Sequence, residues 1–134
     1  IKGDATSGTV CKICPDFTKV SSPTMTIALK LFSNTCSTCD RTDDKPNAEL
    51  ADYGSMSAAD IAGSFGDCFT GSYAVVNNTY YWVVAQASAT SETKYFKWGQ
   101  DATCTSEDIA RSADGSSWVY TDHNTKCLMM KLYR

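Results

Sequence analysis

Seven cysteines in 134 residues constrain this chain more than any other feature: Cys11, Cys14, Cys36, Cys39, Cys68, Cys104 and Cys127. Two CxxC pairs stand among them, Cys11-Lys12-Ile13-Cys14 and Cys36-Ser37-Thr38-Cys39. In an oxidising compartment such a set is a disulfide framework. In a reducing one, paired CxxC motifs gather a metal.

The two pairs are 21 residues apart, close to the span of a four-cysteine zinc ribbon. Zinc wants four thiolates in a tetrahedron, and each CxxC turn supplies two. Against zinc, Pro15 and Asp40 stand where ribbon turns usually place a glycine soon after the second cysteine. Three further cysteines lie outside the motif. A redox CxxC would sit between a strand and a long helix, and neither pair does. The expectation is a disulfide-stabilised chain with no bound metal and no cofactor. Seven is odd, so one thiol stays unpaired or links two chains, giving a monomer or a disulfide-linked dimer. Spacing does not settle the pairing.

The length fits a single domain over residues 1–134 with a real core. Lys and Arg number 12 against 15 Asp and Glu, a net charge of -3 with no basic run. Nucleic acid needs clustered cations, so it is excluded as a partner. No apolar run approaches the roughly 18 residues of a membrane span. The chain opens at Ile1 with no charged, then apolar, leader, and reads as a mature extracellular, secreted chain. Asn77-Asn78-Thr79 is an N-glycosylation acceptor, with Asn77 the modified residue.

Thr24 to Phe32 is the clearest strand: Met25, Ile27, Leu29 and Leu31 alternate with Thr24, Thr26, Ala28 and Lys30. Asp16 to Val20, joined through Ser21-Ser22-Pro23, reads as its hairpin partner. Val20 would then face Met25, and a Cys11–Cys36 bridge would clamp the open end. Asn47 to Tyr53 carries a helical pattern. A second starts at Ser57, where Ser57 and Asp60 form an acidic capping box, and stops at Gly63 or Gly66. Ser72 to Val76 and Thr79 to Ala85 read as a hairpin around Asn77-Asn78, which suits a type I′ turn. Thr93 to Trp98 is a strand, Thr105 to Ser112 a short helix and Asp114-Gly115 a turn. Ser116 to Thr121 is a strand, Asp122-His123-Asn124 a turn, and Thr125 to Tyr133 the last strand. The fold class is mainly β (α+β): an antiparallel sheet, sandwich or partly closed small barrel with two short helical insertions.

Aromatic residues are the second notable feature. Tyr73, Tyr80, Tyr81, Trp82, Tyr95, Phe96, Trp98, Trp118 and Tyr120 all fall on expected strands. One set fills the core, as rings usually do in β proteins. Alternation sends Tyr81 to the face opposite Tyr80 and Trp82. A partly exposed ring platform suits stacking on sugar faces or packing a flat apolar ligand. Tyr80, Trp82, Trp98 and Trp118 are the candidate ligand-binding rings, with Asn78 or Asp114 as polar contacts.

Catalytic signatures are missing: there is no GxSxG, GxGxxG, HExxH or Walker loop. His123 is the only histidine and reads as a turn residue. Asp40, Asp43 and Asp44 could collect Ca²⁺, but the spacing lacks the glycine and bidentate Glu of an EF-hand, so they read as a solvated turn. The expected function is therefore non-enzymatic: a secreted binding protein for a glycan or small amphipathic ligand, held on an aromatic sheet face. The alternatives are an extracellular protein-interaction ligand (a toxin, effector or signal) using residues 40–66, a carrier of small lipophiles, and an intracellular zinc ribbon.

Overall fold

The computed structural model describes residues 8–35, 45–89, 93–101, 108–111, 119–123, 127–128 and 130–133. Among the described residues twelve strands run in chain order: β1 (Gly8–Pro15), β2 (Phe17–Val20), β3 (Thr26–Asn34), β4 (Pro46–Ser57), β5 (Phe69–Val75), β6 (Tyr81–Ala87), β7 (Tyr95–Trp98), β8 (Gln100–Asp101), β9 (Asp108–Arg111), β10 (Val119–His123), β11 (Cys127–Leu128) and β12 (Met130–Tyr133). All strand pairings among the described residues are antiparallel. There are two three-stranded sheets, ordered β12-β1-β5 and β4-β3-β6, and three two-stranded pairs, β2-β7, β8-β11 and β9-β10.

One core unites the inner faces of the larger sheets. Val10, Ile13, Phe69 and Val75 come from one, and Ile27, Leu29, Leu31, Tyr53 and Tyr81 from the other. The alternation of β3 explains its share: Ile27, Leu29 and Leu31 are buried, while Ala28, Lys30 and Phe32 lie on the opposite face. Tyr53 ties the sheets together. Its hydroxyl donates to the Val10 carbonyl at 2.8 Å. Its ring fills the space over Gly71, where an added Cβ would stand 2.7 Å from ring carbon Cδ1. Burial raises the Tyr53 phenol pKa, and the nearby Cys11 acts in the same direction.

The disulfide joins Cys14 to Cys68. It continues the β1–β5 register one step beyond the Ile13–Phe69 pair. Cys11 is a free, exposed thiol whose Sγ lies 3.3 Å from the Tyr133 carbonyl oxygen. The first CxxC is thus split: one member is crosslinked to a third cysteine. Cys36, Cys39 and Cys104 lie outside the described residues, and of Cys127 only the backbone is described.

Among the described residues there is no helix, which corrects the expected insertions. Asn47 to Tyr53 belongs to β4. Three register shifts along the β3–β4 ladder each place an extra residue on β4. Bulges of this kind stretch the apolar period from two to three, so Leu50, Tyr53 and Met56 repeat as they would on a helix. Gly54, at φ 91°, supplies one of these irregular positions, and its N–H donates to Asp52 Oδ1 at 2.7 Å. The Ser57–Asp60 pair does form, hydroxyl to carboxylate at 2.6 Å, but it closes a turn in which the Asp60 N–H also reaches the Ser57 carbonyl. The third helical stretch, Thr105 to Ser112, contains strand β9 instead, and Asp122 and His123 lie in β10 rather than in a turn.

Two expected hairpins are also corrected. β3 is flanked by β4 and β6, so β2 finds no edge there and pairs with β7, setting Val20 opposite Tyr95. Ser21 and Ser22, both near φ 50° (53° and 51°), turn the chain between sheets. The proposed Cys11–Cys36 clamp loses its basis with that hairpin. β5 and β6 likewise enter different sheets. The Asn77-Asn78 turn forms, but only Asn78 has positive φ (57°), so it is not type I′. The Val76 N–H donates to the Tyr81 hydroxyl at 2.9 Å, anchoring this corner.

The connection from β4 to β5 is tightly held. Asp67, buried, accepts the Ala62 and Gly63 N–H groups at 2.9 and 2.7 Å. Lys19 Nζ donates to the Ala58 carbonyl at 3.0 Å. Gly63, Ser64 and Phe65 all have positive φ (88°, 52° and 62°). Left-handed backbone is costly for a phenylalanine and persists only where the surroundings enforce it.

Two stability experiments follow. The Cys14–Cys68 bond spans 54 residues, so the double variant C14A/C68A should lose up to about 4 kcal/mol in urea unfolding. Gly71→Ala should lose about 1–3 kcal/mol in the same assay, because its methyl has to displace the Tyr53 ring. A wild-type midpoint for G71A would show that the Tyr53 seat is loose.

Candidate functional site

The face of β4-β3-β6 turned away from the core collects the most varied chemistry. Pairing sets Phe32 opposite Trp82, Lys30 opposite Val84 and Ala28 opposite Gln86. On the other side, Lys30 meets Asp52 and Ala28 meets Ser55. The face grades along β3 from rings at the Asn34 end to polar groups at the Thr26 end.

At the aromatic end, Trp82 is half-buried and its Nε1–H donates to Asn34 Oδ1 at 3.0 Å. That bond fixes the indole's orientation. Tyr80 precedes it by two residues, hence on the same face, and is 42% exposed. Tyr81 points the other way and is buried, as alternation requires. At the polar end is a shallow open depression of about 450 Å³, lined by Thr26, Lys30, Asp52, Ser55 and Gln86 among others. Lys30 Nζ bonds Glu49 Oε2 at 2.9 Å. The hydrogen bond that Lys30 donates to Glu49 raises the Lys30 pKa above its ordinary value. Burial opposes the shift, and the Glu49 and Asp52 charges add to it.

Two of the four expected rings come together. Tyr80 and Trp82 share this face. Trp98 sits on β7, opposite Phe17, with the two ring centroids 5.1 Å apart and nearly perpendicular. It packs against the core with Phe96. Trp118 and Asp114 lie outside the described residues. Asn78 is exposed in the turn before β6, beside the exposed Asn77. Thr79 Oγ1 donates to the Asn77 carbonyl at 3.4 Å.

No sequence motif marks Phe32, Asn34, Lys30, Glu49, Asp52 or Gln86 as site residues. The alternation of β3, followed past Lys30, places Phe32 and Asn34 on the outer face. Their meeting with Trp82 depends on a pairing 50 residues distant in register, which no local pattern reports.

Among the described residues, no three His, Cys, Asp or Glu side chains converge as a metal site, and no helix is long and apolar enough to cross a membrane. Asp40, Asp43 and Asp44 fall outside those residues. Compared with protein-family models, curated proteins and solved structures, the chain matches none.

The Lys30 amine should titrate above its usual value by NMR, and Glu49→Gln should bring it down. A folded pKa raised above the unfolded one stabilises fully below the unfolded value, about 10.4. That contribution disappears as pH climbs through the folded value. The pair is at the surface, so Lys30→Met should change stability by under about 1 kcal/mol.

Proposed function

We propose that this chain is an extracellular, non-catalytic binding protein on a sandwich-type, disulfide-bonded scaffold. It recognises a neutral glycan on the outer face of β4-β3-β6. Trp82 and Tyr80 supply the stacking rings, with Phe32 beside them. Asn34, Lys30, Asp52 and Gln86 supply hydrogen-bond donors and acceptors. The observation that carries this reading is one sheet face joining an oriented indole to a polar trough.

Sugars need both elements: an apolar ring for their C–H face and directional groups for their hydroxyls. A carrier of lipophiles would hold its cargo in an enclosed apolar cavity, whereas this depression is open and lined by polar and apolar groups alike. An intracellular zinc ribbon would need Cys14 as a thiolate, and Cys14 is bonded to Cys68. The disulfide supports an oxidising compartment. The exposed Asn77 fits a glycan acceptor in a secretory route.

Affinity electrophoresis through a panel of neutral polysaccharides tests the assignment. Retardation by at least one is expected. Trp82→Ala should weaken it by about 1–2 kcal/mol, or roughly tenfold, while Trp98→Phe should leave it intact. Unchanged retardation of W82A, or no retardation by any of the panel, would remove the glycan reading.

A further inference from the structure

We infer that the ligand of the β4-β3-β6 face is a linear, extended polysaccharide, bound lengthwise along β3 through its internal units. This rests on the glycan reading above and names the form of glycan that the same face takes.

Side-chain size sets the path. The outer positions of β3 are Thr26, Ala28, Lys30, Phe32 and Asn34. Ala28 stands between Ser55 on β4 and Gln86 on β6. Gly54, next to Ser55, has no side chain, and a Cβ added there would meet nothing within 4 Å. Short side chains therefore make the floor of the depression, while longer ones at Lys30, Asp52 and Gln86 line its sides. That is why the polar half of this sheet is troughed rather than flat.

The trough leads into the rings. Lys30 lines it, and the next outer position on β3 is Phe32, whose partner is Trp82. The β3–β6 register is unbroken from Ile27 to Ser33, so these groups follow one straight row. At strand rise, Thr26 and Phe32 stand roughly 20 Å apart. A single sugar touches one end of that row and not the other. A ligand that stacks on Trp82 and also reaches the Thr26 end is several units long and extended. An open trough takes such a chain from the side, with no need of a free end.

The polar groups suit an uncharged chain. The Lys30 ammonium is matched by Glu49 at 2.9 Å, and Asp52 pairs with Lys30 across the ladder. Donors and acceptors thus alternate along the trough, and each sugar hydroxyl is both donor and acceptor. At the ring end, the bond from Trp82 Nε1–H to Asn34 Oδ1 holds the indole in place before any ligand arrives.

Competition in affinity electrophoresis tests the assignment. Hydroxyethyl cellulose, xylan, galactomannan and laminarin are cast in the gel. Oligosaccharides of whichever polymer retards the chain then compete in solution, from disaccharide to octasaccharide. Molar inhibition should strengthen by roughly tenfold or more along the series and then level off, as each unit adds a contact until the row is filled. Octasaccharides reduced to the alditol at their reducing end should compete like unreduced ones. Ala28→Gln raises the trough floor. It should cut octasaccharide inhibition to near the disaccharide value and leave the disaccharide unchanged. Trp82→Ala should weaken every member of the series. Circular dichroism melts check that the variants fold, and Ser55→Gln repeats the block from β4 should Ala28→Gln melt early. Three results would each overturn lengthwise binding and leave the glycan reading standing: a disaccharide that competes as strongly as the octasaccharide, competition lost on reducing the chain end, or wild-type length dependence in both floor variants. Retardation by none of the four polymers removes the glycan reading, and this inference with it.

Discussion

Tyr53 is the contact on which the two large sheets depend. Its ring occupies the space that Gly71 leaves empty on β5, and its hydroxyl satisfies the Val10 carbonyl on β1. A single side chain on β4 therefore contacts both strands that face it. A buried phenol is tolerated only with a partner for its hydroxyl, so the hydrogen bond and the packing are inseparable. The bulged path of β4 delivers Tyr53 to that spot, with Gly54 accepting a backbone conformation that other residues resist. The Cys14–Cys68 bond then holds β1 and β5 together at the next register step.

With inner faces committed to one core, the outer faces are left to carry chemistry. On β4-β3-β6 the outer face is amphipathic along its length, from Phe32 and Trp82 to Lys30, Asp52 and Gln86. On β12-β1-β5 it is basic and aromatic, through Lys12, Lys131, Tyr133 and Phe65. The two faces belong to different sheets packed on a shared core. Rigid strands hold these groups at fixed spacing, which would lower the ordering cost of the proposed binding.

Local patterns foretold some elements well. Ile27, Leu29 and Leu31 alternate in sequence and are buried together. Tyr81 opposes Tyr80 and Trp82 as period two demands. The turn at Asn77-Asn78 is present, and Ser57 does bond Asp60. The same logic failed on β4, where bulges made a strand repeat like a helix. Trp98, which shares the chemistry of Trp82, packs on Phe17.

Composition and alternation alone determined an antiparallel, mainly β chain with at least one disulfide, because side-chain period and cysteine content act locally. Only tertiary structure decided that Cys14 bonds Cys68 and that β2 joins β7. It alone also set Phe32 beside Trp82, and Lys131 over the ring of Phe65. Each of these choices depends on which strand edge remained available once the core had closed, and that is a property of the whole chain rather than of any segment.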